Sequence, residues 1–195
     1  MAPDAAGSAG PTSLSRLSAG RSWLNLGMDV SGLLLDLYGR IPPLVEEAVQ
    51  GLDPELLTRA PSPGANTIAW LAWHVGRVED HQISELRGEE QLWAGGDWAR
   101  RFGLEPDPND TGYGHSREQA AAVRPQAPEV LLEYVHAADA RTRRFLEGLT
   151  GGDLDRIVDE RWDPPVTMGV RLVSIADDCI QHAGQAAYLR GLFGA

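Results

Sequence analysis

Four separate stretches of this sequence carry apolar residues at spacings of three and four, which is the period of an amphipathic helix. They run from about Met28 to Leu52, from Asn66 to Gly88, from Pro128 to Leu149 and from Thr167 to Leu192. No alternation of strand and helix units accompanies them. The pattern therefore predicts an all-α fold. We expect a four-helix bundle with a long crossover between the second and third helices and almost no strand.

Local signals predict where these helices break, begin and end. Pro42 and Pro43 lie inside the first stretch, so we expect a kink or a break there. Asn66 is the predicted N-cap of the second helix, and Gly88 is its predicted stop. The fourth stretch is apolar on nearly all sides, and we expect it to be the most buried of the four helices.

The crossover from Glu89 to Ala127 contains aromatic residues among prolines and glycines. Loops of this length are uncommon in a compact domain unless they serve function, so we expect it to pack down as one wall of a pocket. Ser116 and Gln119 fit a capping box, which predicts a short helix after them. The Pro-rich segment from Asp155 to Val166 is predicted to be extended.

Charge and cysteine content exclude several classes of protein. The 28 acidic and 17 basic residues give a formal net charge of −11, and the Arg-rich spots are only pairs. A surface this negative repels nucleic-acid phosphate and anionic lipid, so we expect neither as a partner. The single cysteine, Cys179, excludes an internal disulfide and any Cys-based zinc finger.

The sequence also bears on location and domain organisation. No stretch reaches the roughly 18 apolar residues that a membrane span needs, and the N-terminus lacks the basic and apolar regions of a signal peptide. We therefore expect a cytoplasmic protein. Residues 1–20, rich in Ala, Gly, Ser and Pro, are predicted to be a disordered leader, and residues 21–195 a single helical bundle domain.

A row of polar residues interrupts the apolar fourth helix. Ser174, Asp178, His182 and Gln185 stand on one face, on successive turns. A carboxylate in such a helix is costly to bury unless it is paired or binds a cation. Asp178 and His182 are one turn apart, so both can reach a single ion, and a divalent transition metal accepts both ligand types.

A third ligand must come from another helix, and His74 of the second helix is the best candidate. It borders the apolar stripe of that helix and should face the bundle interior. Two simpler interpretations stay open: an ion pair within the fourth helix, and a hydrogen-bonded core histidine. His81 is expected at the rim, and Asp177 and Glu79 are reserve ligands that point away from the predicted site.

Two segments carry a resemblance to a known family. They are NTIAWLAWHVGRVEDH (66–81) and RWDPPVTMGVRLVSIADDCIQHAGQAAYLRG (161–191). Their ordered motifs, Asn-x-x-x-Trp-x-x-x-His and then acid-x-x-x-His-x-Gly-Gln, resemble those of the DinB/YfiT-like superfamily. The closer similarity is to its actinobacterial branch, which includes mycothiol S-transferases and the N-terminal domain of mycothiol-dependent maleylpyruvate isomerase. The resemblance covers about residues 29–194.

The resemblance implies a divalent metal held by His74, Asp178 and His182 inside a helical bundle. This chain has Asp where that branch has Glu, which shortens the ligand by one methylene. It also implies an enzyme, a transferase that uses a low-molecular-weight thiol, with mycothiol as the co-substrate and zinc as the metal. Iron or nickel are the alternatives for the metal.

Other site residues and partners follow as expectations from this interpretation. Gln185 would act in catalysis by supporting a ligand or orienting the substrate, and Arg77 and Arg190 would bind an anionic group of the cofactor or substrate. A small-molecule substrate is expected as partner, and bundles of this kind often form homodimers. Two other functions stay open: a mononuclear non-haem iron enzyme, which uses the same ligand set, and a non-catalytic bundle that binds metal or a small ligand.

Overall fold

The computed structural model describes residues 28–195. The predicted leader (1–20) and the predicted start of the domain at residue 21 lie outside these residues. Nine α-helices occupy the described part of the chain: α1 (Val30–Tyr38), α2 (Ile41–Val49), α3 (Pro54–Leu57), α4 (Ile68–Arg87), α5 (Leu92–Gly95), α6 (Trp98–Arg101), α7 (Arg117–Ala122), α8 (Pro128–Leu146) and α9 (Met168–Leu192). None of the helices within 28–195 is both long enough and apolar enough to cross a membrane.

The predicted four-helix bundle is confirmed. Its members are α4, α8, α9 and the consecutive pair α1 and α2. Helix α4 packs against both α8 and α9, and α2 packs against the same two helices from the other side. The core between them contains fully buried side chains from every member, among them Ile41, Trp73, Leu131 and Leu172.

The first helical stretch is broken, as its prolines predicted. Helix α1 ends at Tyr38 and α2 begins at Ile41, so the break falls at Gly39 and Arg40, just before the prolines. Pro42 and Pro43 occupy the first turn of α2. Proline is tolerated there because the first amides of a helix have no partner within the helix.

Helix α4 begins one residue later than the sequence predicted. Its N-cap is Thr67 rather than Asn66, and the Thr67 hydroxyl accepts a hydrogen bond from the Trp70 amide at 3.1 Å. Gly88 ends the helix in the left-handed conformation, with φ of 65°, as predicted.

The prediction that the fourth stretch is the most buried helix is wrong. Fifteen of the 20 residues of α4 are buried, against eight of the 25 residues of α9, so α4 is the central helix. Helix α9 keeps one face outside, where Val170, Val173 and Tyr188 are exposed. Apolar composition does not distinguish a helix that is enclosed from one that leaves apolar side chains in solvent.

The crossover between α4 and α8 folds into three short helices, α5 to α7. The predicted capping box is present, with Ser116 and Gln119 exchanging hydrogen bonds at the start of α7. Trp93 and Phe102 fill the core rather than a pocket. A 3₁₀ helix (Gly151–Asp155) precedes strands β1 (Ile157–Asp159) and β2 (Val166–Thr167). The two strands pair antiparallel, and this short hairpin, which contains most of the segment predicted to be extended, leads directly into α9.

Candidate metal centre

The structure brings together the three residues that the sequence predicts as metal ligands. His74 comes from α4, and Asp178 and His182 lie one turn apart on α9. Asp178 Oδ2 is 3.3 Å from His74 Nε2, and Asp178 Oδ1 is 3.6 Å from His182 Nε2. One ligand atom from each residue lies within 4.8 Å of the others. Zinc bonds of about 2.0–2.1 Å place tetrahedral ligand atoms about 3.3 Å apart, so this spacing suits a shared ion.

Hydrogen bonds assign the same tautomer to His74 and His182. Nδ1–H of His74 donates to the Thr111 carbonyl at 2.5 Å, and Nδ1–H of His182 donates to Oε1 of Gln185 at 3.0 Å. Since both oxygens can only accept, each neutral ring has its lone pair on Nε2. Metal-binding histidines are oriented by this kind of partner on the other nitrogen.

Asp178 supplies the negative charge of the site. Burial raises the pKa of this carboxyl, but the adjacent side chains of His74 and His182 lower it by more, so it lies below its ordinary value. Its Oδ2 atom is enclosed and accepts no hydrogen bond. An ionised oxygen and an imidazole lone pair that face each other at 3.3 Å repel unless a cation lies between them. The three side chains therefore fit a divalent metal.

Trp70 forms the wall behind the two histidines. Its ring stacks on that of His74, with centroids 4.7 Å apart and planes 12° apart, and it meets the ring of His182 edge-on at 5.9 Å. Trp70 lines the site, whereas Trp73 and Trp93 are fully buried in the core.

A pocket of about 440 Å³ opens beside the ligands. His74 and Asp178 line it, and the crossover contributes Asn109, Thr111 and Tyr113 to its wall, as predicted for this segment. The other lining side chains come from α4 and α9: Val78, His81, Gln82, Ser174 and Ile175. The site is more open than the apolar sequence of α9 indicates, because the Asp178 side chain is 41% exposed.

Two predicted site residues lie elsewhere, and Arg77 is the first. Its side chain is completely buried and donates to the carbonyl oxygens of Asp110 (2.8 Å) and Pro108 (3.1 Å). It also donates to Gln91 Oε1 at 2.9 Å and to the Tyr134 hydroxyl at 3.1 Å. Arg77 does not line the pocket beside His74, so the structure lends no support to its predicted role in binding an anionic group there. Its hydrogen bonds to Gln91, Pro108 and Asp110 hold the crossover against α4.

Arg190, the second, caps another helix. Its guanidinium donates to the carbonyl oxygens of Glu47 and Gln50, at 2.9 and 2.8 Å, at the C-terminal end of α2. It does not line the pocket beside His74, so the structure does not support an anion-binding role for it there.

The structure also gives the positions of the other residues that the sequence singled out. Gln185 contacts His182 from the solvent side, and its role in catalysis stays a prediction. His81 lines the pocket, and its position at the rim stays a prediction. Of the reserve ligands, Asp177 is exposed and bonded to Gln181, and Glu79 is buried, so neither joins the ligand group.

Sequence reasoning missed the loop that supports His74. Thr111 contributes a backbone carbonyl, which leaves no side-chain signal. Gly112 has φ of 92°, and a Cβ there would lie 2.9 Å from Trp70 and Trp73 and 3.0 Å from His74 Nδ1. The glycines that flank Tyr113 both have positive φ, and they are the one hint in the sequence of a tightly bent segment.

Comparison with known proteins places the chain in a family. The model of the DinB superfamily matches residues 38–186. A crystal structure of a conserved protein from Enterococcus faecalis is similar, with 33% sequence identity and a TM-score of 0.79, over 86% of this chain and 99% of that one. No curated protein sequence matches. The matched residues include all three candidate ligands, and the chain belongs to the DinB superfamily.

Proposed function

We propose that this protein is a metal-dependent transferase that uses a low-molecular-weight thiol, mycothiol, as its co-substrate. The observation that carries the proposal is that two residues of the three-ligand group, His74 and Asp178, line an open pocket. Two histidines and one carboxylate leave coordination positions for a small molecule, which is typical of a catalytic rather than a structural metal site.

The protein's own thiol does not fit the role of nucleophile. Cys179 is completely buried, and burial raises the pKa of its thiol well above the ordinary value. A buried thiol of this kind is inert. Thiol chemistry in this pocket would therefore need a thiol supplied from outside.

The side chains of the pocket suggest how such a thiol would be held. A divalent metal would supply a positive charge at which the bound thiol loses its proton near neutral pH. Gln82, Asn109 and Ser174 offer neutral hydrogen-bonding groups, and no lysine or arginine of residues 28–195 lines the pocket. A thiol that carries hydroxyl and amide groups, such as mycothiol, suits this lining better than one that carries carboxylates or phosphates.

The proposal is tested by incubating the zinc-loaded protein with mycothiol and monochlorobimane. We expect conjugate to form well above the uncatalysed rate in the wild type and to fall to that rate in His182→Ala, with His136→Ala as the control. His136 is exposed and pairs with Glu46 on the surface, so its loss should leave the rate unchanged.

Conjugation at the uncatalysed rate in the wild type, with metal fully bound, would contradict the transferase and leave a binding function. Metal analysis of protein purified without chelator separates the zinc interpretation from that of an iron enzyme. Iron together with oxygen consumption would contradict the thiol chemistry.

A further inference from the structure

We infer that His115 is a positioning residue for the metal ligand His74, acting through Trp70 and through the backbone of the loop around Thr111. The inference rests on the metal site of the proposed function but not on its thiol chemistry. His115 does not line the pocket, and its side chain is only 9% exposed.

Both ring nitrogens of His115 are engaged, and their partners define its protonation. Its Nε2–H donates to Oδ1 of Asp110 at 2.7 Å, while its Nδ1 lies 3.2 Å from Nε1 of Trp70. The indole N–H can only donate, so Nδ1 of His115 accepts. The ring also stacks on Trp73, with planes 21° apart, so its orientation is fixed from the side as well.

Trp70 transmits this constraint to the ligand. Its indole lies flat over the ring of His74, and its Nε1–H is anchored to His115. Without that acceptor, the Trp70 N–H would be left unpaired in a part-buried position, which favours a different tilt of the indole. A change of tilt would remove the flat support of one face of the His74 ring.

The loop provides a second route. Oδ1 of Asp110, which His115 holds, also accepts the Gly112 amide at 3.2 Å. These two bonds hold the backbone on both sides of Thr111, and the Thr111 carbonyl accepts a hydrogen bond from Nδ1–H of His74. His115 thus acts on both supports of the same ligand, its ring plane and its hydrogen-bonded nitrogen. Partners that orient a metal-binding histidine change metal affinity by about 10- to 100-fold.

The test compares zinc affinity among folded variants, measured by competition with a chromophoric chelator. We expect His115→Ala to weaken zinc binding about tenfold and to alter the absorption spectrum of the cobalt-substituted site. His115→Asn places an oxygen near the position of Nδ1 and keeps an acceptor for Trp70, but it loses the bond to Asp110, so its zinc affinity should lie between those of the wild type and His115→Ala. Ile83→Val shortens a fully buried side chain of α4, the helix that carries His74, and it is the control for a general loss of packing.

The outcomes separate positioning from simple packing. Zinc affinity of His115→Ala within twofold of wild type, or an equal loss in Ile83→Val, would overturn the inference. Should His115→Ala fail to fold, Trp70→Phe keeps the stacked ring but removes the N–H, and unchanged affinity there would overturn it equally. A wild-type protein that binds no zinc would instead overturn the metal site itself.

Discussion

Replacement of His74 by alanine is expected to weaken zinc binding about 100-fold or more. His74 is the only ligand from α4, and its loss leaves Asp178 and His182 of one helix as the remaining pair. A structural zinc site of four ligands binds with about 10–16 kcal/mol, so one ligand corresponds to roughly 3 kcal/mol, or about 100-fold. Isothermal titration with zinc measures the effect directly.

His81→Ala is the matched control for this measurement. His81 lies on the same helix and lines the same pocket, but it belongs to no ligand group. We expect its zinc affinity to stay close to that of the wild type. Equal losses in the two variants would mean that zinc is held by the pocket in general, and they would contradict the assignment of His74.

Replacement of Glu79 by glutamine is expected to stabilise the protein at pH 7, by up to about 3 kcal/mol. Glu79 is completely enclosed between helices, and burial raises the pKa of its carboxyl from 4.5 to about 8. The folded protein therefore keeps this group protonated at pH 7, whereas the unfolded chain releases the proton. Glutamine has the shape of the neutral acid and does not carry this cost.

The sign of the pH dependence follows from the raised pKa. The folded state binds one more proton than the unfolded state between about pH 4.5 and pH 8. The free energy of unfolding of the wild type should therefore fall as pH rises through this window, by up to about 1.4 kcal/mol per pH unit. Urea unfolding at several pH values should show a flatter dependence in Glu79→Gln. Glu147→Gln, at an exposed position, should leave the slope unchanged, and equal slopes in wild type and Glu79→Gln would contradict the prediction.

Periodicity along the chain was enough to predict the helices and two of the three candidate ligands. The spacing of four between Asp178 and His182 determines that they share a face, wherever the helix packs. His74 was predicted because it borders an apolar stripe. The long helices came out within a few residues of their predicted ends, since caps such as Gly88 are local signals.

Features that depend on the packing of the crossover could not be predicted. Arg77 looked like a pocket residue because it is three positions from His74, yet the crossover covers it and uses its guanidinium as an anchor. The carbonyl of Thr111 supports His74 through the backbone, which no residue pattern encodes. Helix α4 is more buried than α9 because the crossover packs on it in addition to its neighbours in the bundle, which is a property of the assembled fold.

The most direct test of the metal centre is a crystal structure of zinc-loaded protein, with anomalous diffraction collected at the zinc absorption edge. The account predicts one strong peak between α4 and α9, about 2.0–2.1 Å from Nε2 of both His74 and His182 and about 2.0–2.2 Å from an oxygen of Asp178. No peak at this position, or a zinc ion bound through Nδ1 of either histidine, would contradict it.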